Sequence, residues 1–530
     1  MQCVKLVPVL CSAHMCGIVG LIGTPEAAKE AFLGLTTLQH RGQDAAGILT
    51  YDHQGFHSVK NTGLVESVFT RENMASLTGS MAVGHARYST IGRGDLIDVQ
   101  PFLISYPFGI GMVHNGNIVN CNELAKDLRT RGRRHMLTHS DTEIVLNLFA
   151  EGLAKFPVGD GSASLGFDHI CSSVGDIFKR VNGSYSIVTL IADQGLVAFR
   201  DPYGIRPLVL GRKKIGESAG ARSGDHAGGS SSVEGSGSVG DYAYIVASES
   251  VSLPFLGYER VRDIQAGEVL FIDLKGGLHS RVLDQRKTRH CMFEWVYFAS
   301  PESVIDEVPV YGARINLGKN LAHLIQEQMR IRKIEVDIVV PVPETSRIAA
   351  IALAEVLRIP YREVLIKNRY IKRTFILDSQ EKRQKAVNLK LSPVRSEIEG
   401  KRVLLVDDSI VRGTTSRKIV ELVRSAGASK VYFVSTCPPI QHPCYYGIDF
   451  PVEAELIASG RDLKSIEKEL GVDAVIYQDL EGLARAIAEA STGKKQATLC
   501  MACLNGKYPT DISAGSRFAT TRKEDRKEIL

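Results

Sequence analysis

Two adjacent carboxylates, Asp407 and Asp408, stand between an apolar run and a turn rich in glycine and threonine. The run Val403–Val406 predicts a buried parallel strand, and the amphipathic segment 416–426 predicts a helix. Between them, the turn Ser409–Thr415 offers backbone N–H groups and hydroxyls to a phosphate. Ligands of open α/β sheets bind at the carboxyl ends of the strands. Acids beside a phosphate loop suit a sugar phosphate, with ribose hydroxyls on the carboxylates and Mg²⁺ on a diphosphate.

The same string admits a structural interpretation, in which Asp407 caps the helix that follows a buried strand. The complete sequence VLLVDDSIVRGTT is more specific than two acids after a strand. It resembles the signature with which type I phosphoribosyltransferases bind phosphoribosyl diphosphate (PRPP). The PRPP-binding residues that this resemblance implies are Asp407, Asp408, Ser409, Val411, Arg412, Gly413, Thr414 and Thr415. Strands alternate with helices through the C-terminal half, as in an α/β doubly wound sheet.

Two further stretches are candidates for the same site. Residues 337–346, DIVVPVPETS, predict a strand and a turn before a helix, which places Thr345 and Ser346 near the diphosphate or its Mg²⁺. Residues 367–391 are basic and loop-like, and a solvated charged loop is the structural alternative. A loop this long is uncommon in a compact domain unless it is functional, so we predict a lid that closes over PRPP. The lid candidates are Lys367, Arg369, Tyr370 and Arg373.

Cys16, in the string MCGIVG, is a candidate nucleophile near the start of the chain. As the first residue of a mature chain, it would carry an α-amine that titrates near neutrality and can take the thiol proton. Cleavage of the leader 1–15, or initiation at Met15 followed by removal of that Met, would expose this amine. A buried strand cysteine is the commoner fate of a Cys in apolar company, and the hexapeptide alone favours it.

Four further strings offer groups suited to an amide substrate. Residues 39–47, QHRGQDAAG, predict a loop with close backbone approach. Arg87 ends a predicted strand and suits bidentate binding of a carboxylate. Asn115 and Gly116 offer a side-chain amide and a backbone N–H, the parts of an oxyanion hole. Asp141 opens a helical pattern, where it either caps the helix or binds an amino group.

Together and in this order, these strings resemble the N-terminal-nucleophile (Ntn) glutaminase domain of class II glutamine amidotransferases, over residues 16–270. The family fold is α+β, with two stacked antiparallel sheets between helical layers (αββα). The strings 200–208 and 248–250 also match, and we interpret them as walls of the site and domain contact. The Gly/Ser-rich run 216–240 departs from a compact domain, and we expect it to be a disordered surface loop.

The resemblance also implies roles for the candidate residues of this half. Cys16 attacks the side-chain amide of glutamine, and Asn115 and Gly116 stabilise the tetrahedral oxyanion. Arg87 holds the α-carboxylate of the substrate, and Asp141 holds its α-amino group.

Length, composition and charge limit the class of protein to which these motifs can belong. A length of 530 residues exceeds what one core usually serves, so we expect two domains. Apolar and charged fractions of 44% and 23% are typical of a soluble globular protein. A net charge of +5 without long basic runs gives no support for nucleic-acid binding, and no apolar stretch is long enough to span a membrane. Residues 1–15 make a poor secretory signal, so a cytoplasmic protein is expected.

Ten cysteines in a chain without a secretory signal indicate thiol or metal chemistry, not a disulfide scaffold. The C-x-x-C pair Cys500 and Cys503 can bind Zn²⁺ with two distant thiols, act as a redox pair, or supply half of a Cys₄ site for a [4Fe–4S] cluster. Spacing leaves these possibilities open. Ordinary burial suits Cys121, Cys171 and Cys437 better than Cys291, Cys444, Cys500 and Cys503.

The pairing of the two domains resembles the glutamine PRPP amidotransferases, which catalyse the first step of de novo purine synthesis, over residues 16–510. We therefore predict a leader (1–15), a glutaminase domain (16–270), a phosphoribosyltransferase domain (271–510) and a polar tail (511–530). In the iron–sulfur branch of this family, cysteines in the contexts of Cys291, Cys444, Cys500 and Cys503 hold a structural [4Fe–4S] cluster. The family also implies homotetramers and feedback inhibition by purine nucleotides.

Two alternatives carry different chemistry. A sugar-phosphate aminotransferase of the glucosamine-6-phosphate synthase kind shares the glutaminase half, but its partner is a sugar isomerase domain, and the string 407–415 argues against it. A regulator that binds PRPP or nucleotides without catalysis would have no use for Cys16, Arg87, Asn115 and Asp141. PRPP-dependent release of glutamate separates the three.

Overall fold

A computed structural model describes residues 16–88, 96–138, 140–156, 165–215, 241–284, 286–367, 391–448, 450, 452–493 and 498–515. The leader 1–15, the Gly/Ser-rich run 216–240, the end of the tail and the lid candidates Arg369, Tyr370 and Arg373 lie outside these residues, and what the sequence predicts for them stays a prediction. In the part of the chain that is described, no helix is both long and apolar enough to cross a bilayer.

Two antiparallel sheets lie face to face in the N-terminal half. The first has the strand order β11-β9-β10-β1-β4-β2-β3, with β1 (Gly17–Ile22), β2 (Ala45–Tyr51), β3 (Phe56–Thr62), β4 (Met81–Arg87), β9 (Val209–Lys214), β10 (Tyr242–Ala247) and β11 (Glu259–Asp263). The second has the order β13-β12-β8-β7-β6-β5, with β5 (Phe102–Ile104), β6 (Ile110–Ile118), β7 (Gly183–Ile191), β8 (Gly195–Arg200), β12 (Glu268–Asp273) and β13 (Leu278–Val282). Aliphatic side chains from both sheets, such as Ile18 and Val188, form the core between them.

Helices cover the outer face of each sheet. The first sheet packs against α1 (Ala27–Thr37), α2 (Val65–Val68), α3 (Arg71–Met74) and α7 (Ser252–Phe255). The second packs against α4 (Cys121–Thr130), α5 (Asp141–Leu153) and α6 (Phe167–Arg180). In α6 the apolar residues Ile170, Val174, Ile177 and Phe178 recur at helical spacing and are buried, whereas Asp168, Ser172 and Lys179 are exposed. The predicted αββα sandwich is confirmed.

The sequence of residues 304–330 predicts a largely helical segment, but the connection to the C-terminal half forms shorter elements before that helix begins. After β14 (His290–Cys291) and a π-helical turn (Glu294–Phe298), the chain forms a short hairpin of β15 (Val304–Ile305) and β16 (Val308–Pro309). Asp306 and Glu307 form its turn with positive φ angles of 47° and 63°, which a continuous helix excludes. Only then does α8 (Val310–Arg332) begin, at the residue after Pro309.

A four-stranded parallel sheet organises the C-terminal half, with the order β17-β20-β21-β22. Its strands are β17 (Ile338–Pro341), β20 (Arg402–Asp407), β21 (Lys430–Ser435) and β22 (Ala474–Tyr477). Helices that pack on its two faces include α8, α9 (Arg347–Leu357), α11 (Thr414–Ser425) and α12 (Leu463–Leu470). The central residues of the strands are apolar and buried because helices cover both faces, and the predicted α/β class of this half is confirmed.

Smaller elements complete this half. The strands β18 (Leu365–Lys367) and β19 (Leu391–Pro393) pair antiparallel on either side of 368–390, and a helical turn α10 (Arg395–Ile398) follows. Beyond α12 come α13 (Leu480–Glu489), β23 (Leu499–Cys500) and α14 (Ala502–Asn505). Strand β23 pairs in parallel with β14, with Cys500 opposite Cys291. The end of the chain is thereby joined to the connection between the two halves.

Candidate active sites

Cys16 immediately precedes β1, the central strand of the first sheet, and is only 1% exposed. Its main-chain nitrogen donates to Oδ1 of Asn115 at 3.2 Å. Its carbonyl oxygen accepts from Nε of Arg41 at 3.1 Å. The backbone of Cys16 is therefore held on both sides of the thiol by residues that are distant in sequence.

The thiol of Cys16 is a weak acid in this environment. Burial raises its pKa from 9.0 to about 12, although the backbone N–H of Tyr88 and the charges of Arg87 and Arg41 oppose that rise. At neutral pH the sulfur keeps its proton, whereas the thiolate is the nucleophilic form. Attack on a substrate therefore needs a base beside the thiol.

Asn115 and Gly116 lie together on β6, next to Cys16. Because Oδ1 of Asn115 is bonded to the Cys16 nitrogen, its Nδ2 is left buried with no hydrogen-bond partner among the described residues. A buried donor without a partner costs roughly 1–3 kcal/mol, so a donor of this kind suits an acceptor that arrives with a substrate. Gly116 has a φ of +152°, and a Cβ there would lie 2.0 Å from the carbonyl oxygen of Ser184. Only glycine fits this position.

Arg87 and Asp141 bring opposite charges to the same thiol. Arg87 is buried at the last position of β4, and its charge lowers the pKa of Cys16, whereas that of Asp141 raises it. Oδ2 of Asp141 accepts the backbone N–H of Ile118 at 3.0 Å, which fixes the carboxylate against β6. One buried cation and one buried anion near a thiol can hold the carboxylate and the ammonium of an amino acid.

The cap of helix α5 is Ser140, not Asp141. The Ser140 hydroxyl accepts the backbone N–H of Thr142 at 3.3 Å, and the helix begins at Asp141. Of the two roles that the sequence allowed for Asp141, capping is therefore wrong. Its carboxylate stays in the site.

Asp407 and Asp408 end the second strand of the parallel sheet, at the predicted edge. Burial raises the pKa of Asp407 well above its usual value, and the neighbouring Asp408 raises it further. Burial also raises the pKa of Asp408, to about 6, although hydrogen bonds from the hydroxyls of Ser409 and Thr345 and the charge of Arg314 oppose the rise. Two adjacent carboxyl groups in a buried, weakly polar environment favour the binding of a cation or of ligand hydroxyls. The helix after them is capped by Gly413, so the capping interpretation of Asp407 is wrong.

The loop after the acids enters α11 as predicted for a phosphate site. Gly413 has a φ of +75°, and a Cβ there would lie 2.3 Å from the side chain of Ile457. Val411 is held by its carbonyl oxygen, which accepts the N–H of Ile457 at 2.9 Å. Nε of Arg412 donates to Glu455 at 3.2 Å, so its guanidinium is partly engaged by an acid in this conformation. Thr414 and Thr415 form the first turn of α11, where backbone N–H groups are open to an anion.

The other predicted residues of this site, Thr345, Ser346 and Lys367, differ in whether they contact the acid pair. Thr345 hydrogen-bonds the Asp408 carboxyl directly. Ser346 is buried and donates its hydroxyl to the carbonyl oxygen of Val342 at 2.6 Å. Lys367, at the end of β18, lies 3.9 Å from Glu344. Thr345 is therefore joined to the acid pair, whereas Ser346 and Lys367 are seen on other partners.

Four cysteines meet where the end of the chain joins the connection between the halves. Cys291, Cys444, Cys500 and Cys503 are free and buried in one apolar core. Three of the four sulfurs accept a hydrogen bond from the backbone N–H two residues further along the chain. Tyr446 donates to Cys444 at 3.4 Å, Phe293 donates to Cys291, and Ala502 donates to Cys500. Burial raises the pKa of Cys291 to about 11, so a neutral thiol is favoured unless a positive centre is bound.

The four thiols do not surround a single ion. Among the described residues, no three side chains of His, Cys, Asp or Glu converge in a way that holds one metal ion. Structural Zn²⁺ needs four ligands around one point, at about 2.3 Å for sulfur, whereas each thiolate of a [4Fe–4S] cluster binds a different iron. The four sulfurs are therefore not arranged as a mononuclear zinc site in the described residues.

Sequence reasoning assigned no individual role to a set of fully buried charges between these sites. Glu294 accepts from Arg41 and from Arg206, and Arg41 also contacts Glu249. Oε2 of Glu249 accepts from Ser300 across the join between the halves, in keeping with domain contact at 248–250. The signal available in the sequence was an acid inside the apolar string CMFEWV.

Comparison with known families assigns both halves. A family model described as a glutamine amidotransferase domain matches residues 85–223, and one described as a phosphoribosyl transferase domain matches residues 312–447. The fold and the sites thus define a glutamine amidotransferase domain joined in one chain to a phosphoribosyltransferase domain.

Relatives match almost the whole chain. The amidophosphoribosyltransferase of Escherichia coli (strain K12) is 42% identical over 520 residues, 97% of each chain, and that of Schizosaccharomyces pombe is 40% identical over 94% of this chain and 91% of its own. A solved glutamine PRPP amidotransferase from B. subtilis, complexed with ADP and GMP, is 37% identical with a TM-score of 0.77, covering 94% of this chain and 98% of its own. This chain belongs to the amidophosphoribosyltransferase family.

Proposed function

We propose that the chain hydrolyses glutamine at Cys16 and passes the ammonia to PRPP, which yields 5-phosphoribosylamine, glutamate and diphosphate. This is the first committed step of de novo purine biosynthesis. The observation that carries the proposal is the unpaired amide donor of Asn115 beside a buried thiol, in one chain with the Asp407–Asp408 pair and its phosphate loop.

The glutaminase step starts with the base that the thiol of Cys16 lacks. Once the leader is absent, the α-amine of Cys16 takes the thiol proton, and the sulfur attacks the side-chain amide carbon of glutamine. Nδ2 of Asn115 and the N–H of Gly116 donate to the oxyanion that forms. Ammonia leaves, and water releases glutamate from the thioester.

Binding of glutamine falls to the two charges beside Cys16. Arg87 pairs with the α-carboxylate and Asp141 with the α-amino group, which places the side-chain amide at the sulfur. Both residues are buried and on regular elements, so little freedom is lost when the substrate binds.

The transferase step uses the edge of the parallel sheet. Asp407 and Asp408 hold the ribose hydroxyls or, with Thr345 and Ser346, a Mg²⁺ ion, and the loop Ser409–Thr415 binds the 5-phosphate. Mg²⁺, when bound, neutralises the diphosphate leaving group. Of the lid candidates, Lys367, Arg369 and Arg373 bring cations to the diphosphate, and together with Tyr370 they exclude water.

A passage shielded from water must join the two sites, because at neutral pH bulk water would convert ammonia into ammonium, which is not a nucleophile. Arg314 supports the proximity of the sites, since both Asp408 and Glu249 act on its charge. Its side chain is fixed by the carbonyl oxygens of Trp295, Tyr297 and Ala299. A buried arginine with this many partners is held in one position near both sites.

The four clustered cysteines fit a [4Fe–4S] cluster that acts as a structural staple, because neither reaction requires an electron. By family membership we also propose a cytoplasmic homotetramer that purine nucleotides inhibit; the B. subtilis relative was solved with ADP and GMP.

The test is glutamate release by the purified protein, with and without PRPP. We expect little glutaminase activity without PRPP and a large increase with it, accompanied by equimolar diphosphate. Equal glutamine hydrolysis in both conditions would contradict the coupling, and no hydrolysis in either would contradict the glutaminase assignment.

A further inference from the structure

Glu294 is a buried acid between two buried arginines. It lies in the π-helical turn that connects the halves and is 1% exposed. Arg41 donates to both of its carboxylate oxygens, at 2.9 and 3.0 Å, and Arg206 donates to one of them at 3.3 Å. A buried carboxylate is tolerated only when it is paired and hydrogen-bonded, so these three side chains depend on each other for position.

One end of this arrangement reaches the nucleophile. Nε of Arg41, on the same guanidinium that binds Glu294, donates to the carbonyl oxygen of Cys16. A planar guanidinium fixes several directions at once, so a shift of Glu294 moves the donor that holds Cys16. Glu249 is a second anchor for Arg41, on the side of the glutaminase domain.

The other end reaches the cysteine cluster. Nε of Arg206 donates to the carbonyl oxygen of Tyr446 at 2.9 Å, and the N–H of Tyr446 donates to the sulfur of Cys444 at 3.4 Å. The Ser184 hydroxyl donates to the same Tyr446 carbonyl at 2.8 Å. The segment 444–446 is therefore bonded both to a cluster cysteine and to the glutaminase domain.

A parallel contact joins this segment to the oxyanion strand. Nδ2 of Asn117, two residues after Asn115 on β6, donates to the carbonyl oxygen of Tyr445 at 2.8 Å. Asn117 lies opposite Ser184 in the pairing of β6 with β7. The strand that carries the oxyanion donors thus rests on the residues that follow Cys444.

We propose that Arg41, Glu294 and Arg206 form a buried hydrogen-bonded relay through which the segment 444–446 sets the position of Cys16, with Glu294 as a positioning residue of the glutaminase reaction. The proposal rests on the glutaminase function proposed above. It gives the cysteine cluster a second effect beyond holding the end of the chain, because the order of the segment after Cys444 is transmitted to the nucleophile.

The relay predicts a specific kinetic effect. Displacement of the Cys16 backbone slows attack on the amide, but glutamine binding is assigned to Arg87 and Asp141, which are not members of the relay. The kcat for glutamate release should fall while the KM for glutamine stays the same. A merely structural role would instead lower the amount of folded protein and both reactions together.

The experiment compares Glu294→Gln with a matched control, Glu268→Gln. Glu268 is also buried and pairs with an arginine, Arg262, but lies on β12 away from the relay. For Glu294→Gln we expect kcat of PRPP-dependent glutamate release to fall between about tenfold and a hundredfold, at unchanged KM. In this variant, the rate of the ammonia-dependent reaction with PRPP should match wild type, and so should the iron and sulfide contents. The control Glu268→Gln should keep the wild-type kcat.

Arg206→Lys is a second variant that keeps the charge but lacks the fork that joins Glu294 to Tyr446. Because both variants interrupt one relay, the double variant should lose no more than about twofold beyond Glu294→Gln alone. If the loss of kcat in the double variant equals the product of the two single losses, or if Glu294→Gln has an unchanged kcat, the relay is wrong. In either case an active wild-type protein still supports the glutaminase function. A wild-type protein that releases no glutamate would overturn the function, and the relay with it.

Discussion

The two sites of this molecule solve the problem of buried charge in opposite ways. At the glutamine site, Arg87, Arg41 and Asp141 supply opposite charges around the thiol of Cys16 within the chain itself. At the PRPP site, Asp407 and Asp408 crowd together with two hydroxyl donors and one arginine nearby, and the pKa of both rises. The charges of the first site are balanced within the chain, whereas the acid pair of the second site lacks enough positive partners of its own, as expected of a site that a ligand completes.

Under the coupling proposed above, this difference would let one chain hold its glutaminase site ready until PRPP binds. A preorganised oxyanion donor such as Nδ2 of Asn115 needs no rearrangement when glutamine arrives. The acid pair, in contrast, has raised pKa values without a ligand, so we expect it to lose its protons when Mg²⁺ and PRPP bind. Any response of the glutaminase to PRPP is therefore expected to start at the acid pair of the second site.

The largest effect expected from a single substitution is that of Cys16→Ser. Because the hydroxyl is a far poorer nucleophile than the thiolate, glutamine-dependent activity should fall by at least about a thousandfold. Activity with ammonium salts and PRPP should remain, since the second site is untouched. Assays with each nitrogen source measure this, and Cys171→Ser, at a buried cysteine on α6, is the control. Equal loss with both sources would contradict two separable sites.

Gly116→Ala should follow closely. A Cβ would clash with the carbonyl oxygen of Ser184 and displace the oxyanion strand, so glutaminase kcat should fall by roughly a hundredfold or more. Gly175→Ala is the control, because a Cβ there meets only Leu283, at 3.9 Å. Glutaminase activity within a few fold of wild type in Gly116→Ala would show that this backbone position does not build the oxyanion hole.

Asp408→Asn tests the second site through stability. The pKa of Asp408 is about 6 in the folded protein and 3.8 ordinarily, so the fold favours the protonated acid. The contribution of Asp408 to the free energy of unfolding is therefore fully present below pH 3.8 and is lost as the pH rises through 6. Without Mg²⁺ and PRPP, the variant should become more stable than wild type as pH rises through this window, by on the order of 2 kcal/mol. Denaturant titrations at pH 4.5 and 7.5 measure the difference.

Asp337→Asn provides the control of opposite sign. Hydrogen bonds from Arg402 hold the pKa of Asp337 at about 2, so its stabilising contribution is present at neutral pH and this variant should be less stable than wild type there. If Asp408→Asn were also less stable than wild type at pH 7.5, the acid pair would be an internally satisfied group and not one that awaits a ligand.

The smallest expected effect separates Ser140 from Asp141. Loss of the cap in Ser140→Ala should cost about 1 kcal/mol of folding free energy, with KM for glutamine unchanged. Asp141→Asn should raise that KM severalfold, because the α-amino group loses its charged partner. Chemical denaturation and glutaminase kinetics on both variants measure the two quantities. A raised KM in Ser140→Ala alone would reverse the roles.

Local sequence strings can point to candidate site residues that lie within one element. Cys16 before an apolar strand, Arg87 at a strand end and the acids before a glycine-containing turn each carry their signal in adjacent residues. The relay could not be predicted in this way, because Glu294 is 253 positions from Arg41 and 88 from Arg206. Only folding brings these charges together.

The hairpin before α8 shows a second limit of sequence reasoning. Val304, Ile305 and Val308 have apolar spacing compatible with a helix, and the turn residues Asp306 and Glu307 carry no glycine to reveal their positive φ angles. Asp306 adopts its place because Arg200, from the other half, binds its carboxylate at 2.7 and 2.8 Å. A tertiary contact thus overrides a local preference.

The most direct test of the account is the N-terminal residue of the active protein. Intact-mass spectrometry after labelling with a glutamine-like alkylating agent should find one adduct, on a chain that begins with Cys16 and has a free α-amine. An active, glutamine-dependent enzyme that still carries residues 1–15, or that is labelled elsewhere, would contradict the claim that the α-amine of Cys16 activates its own thiol.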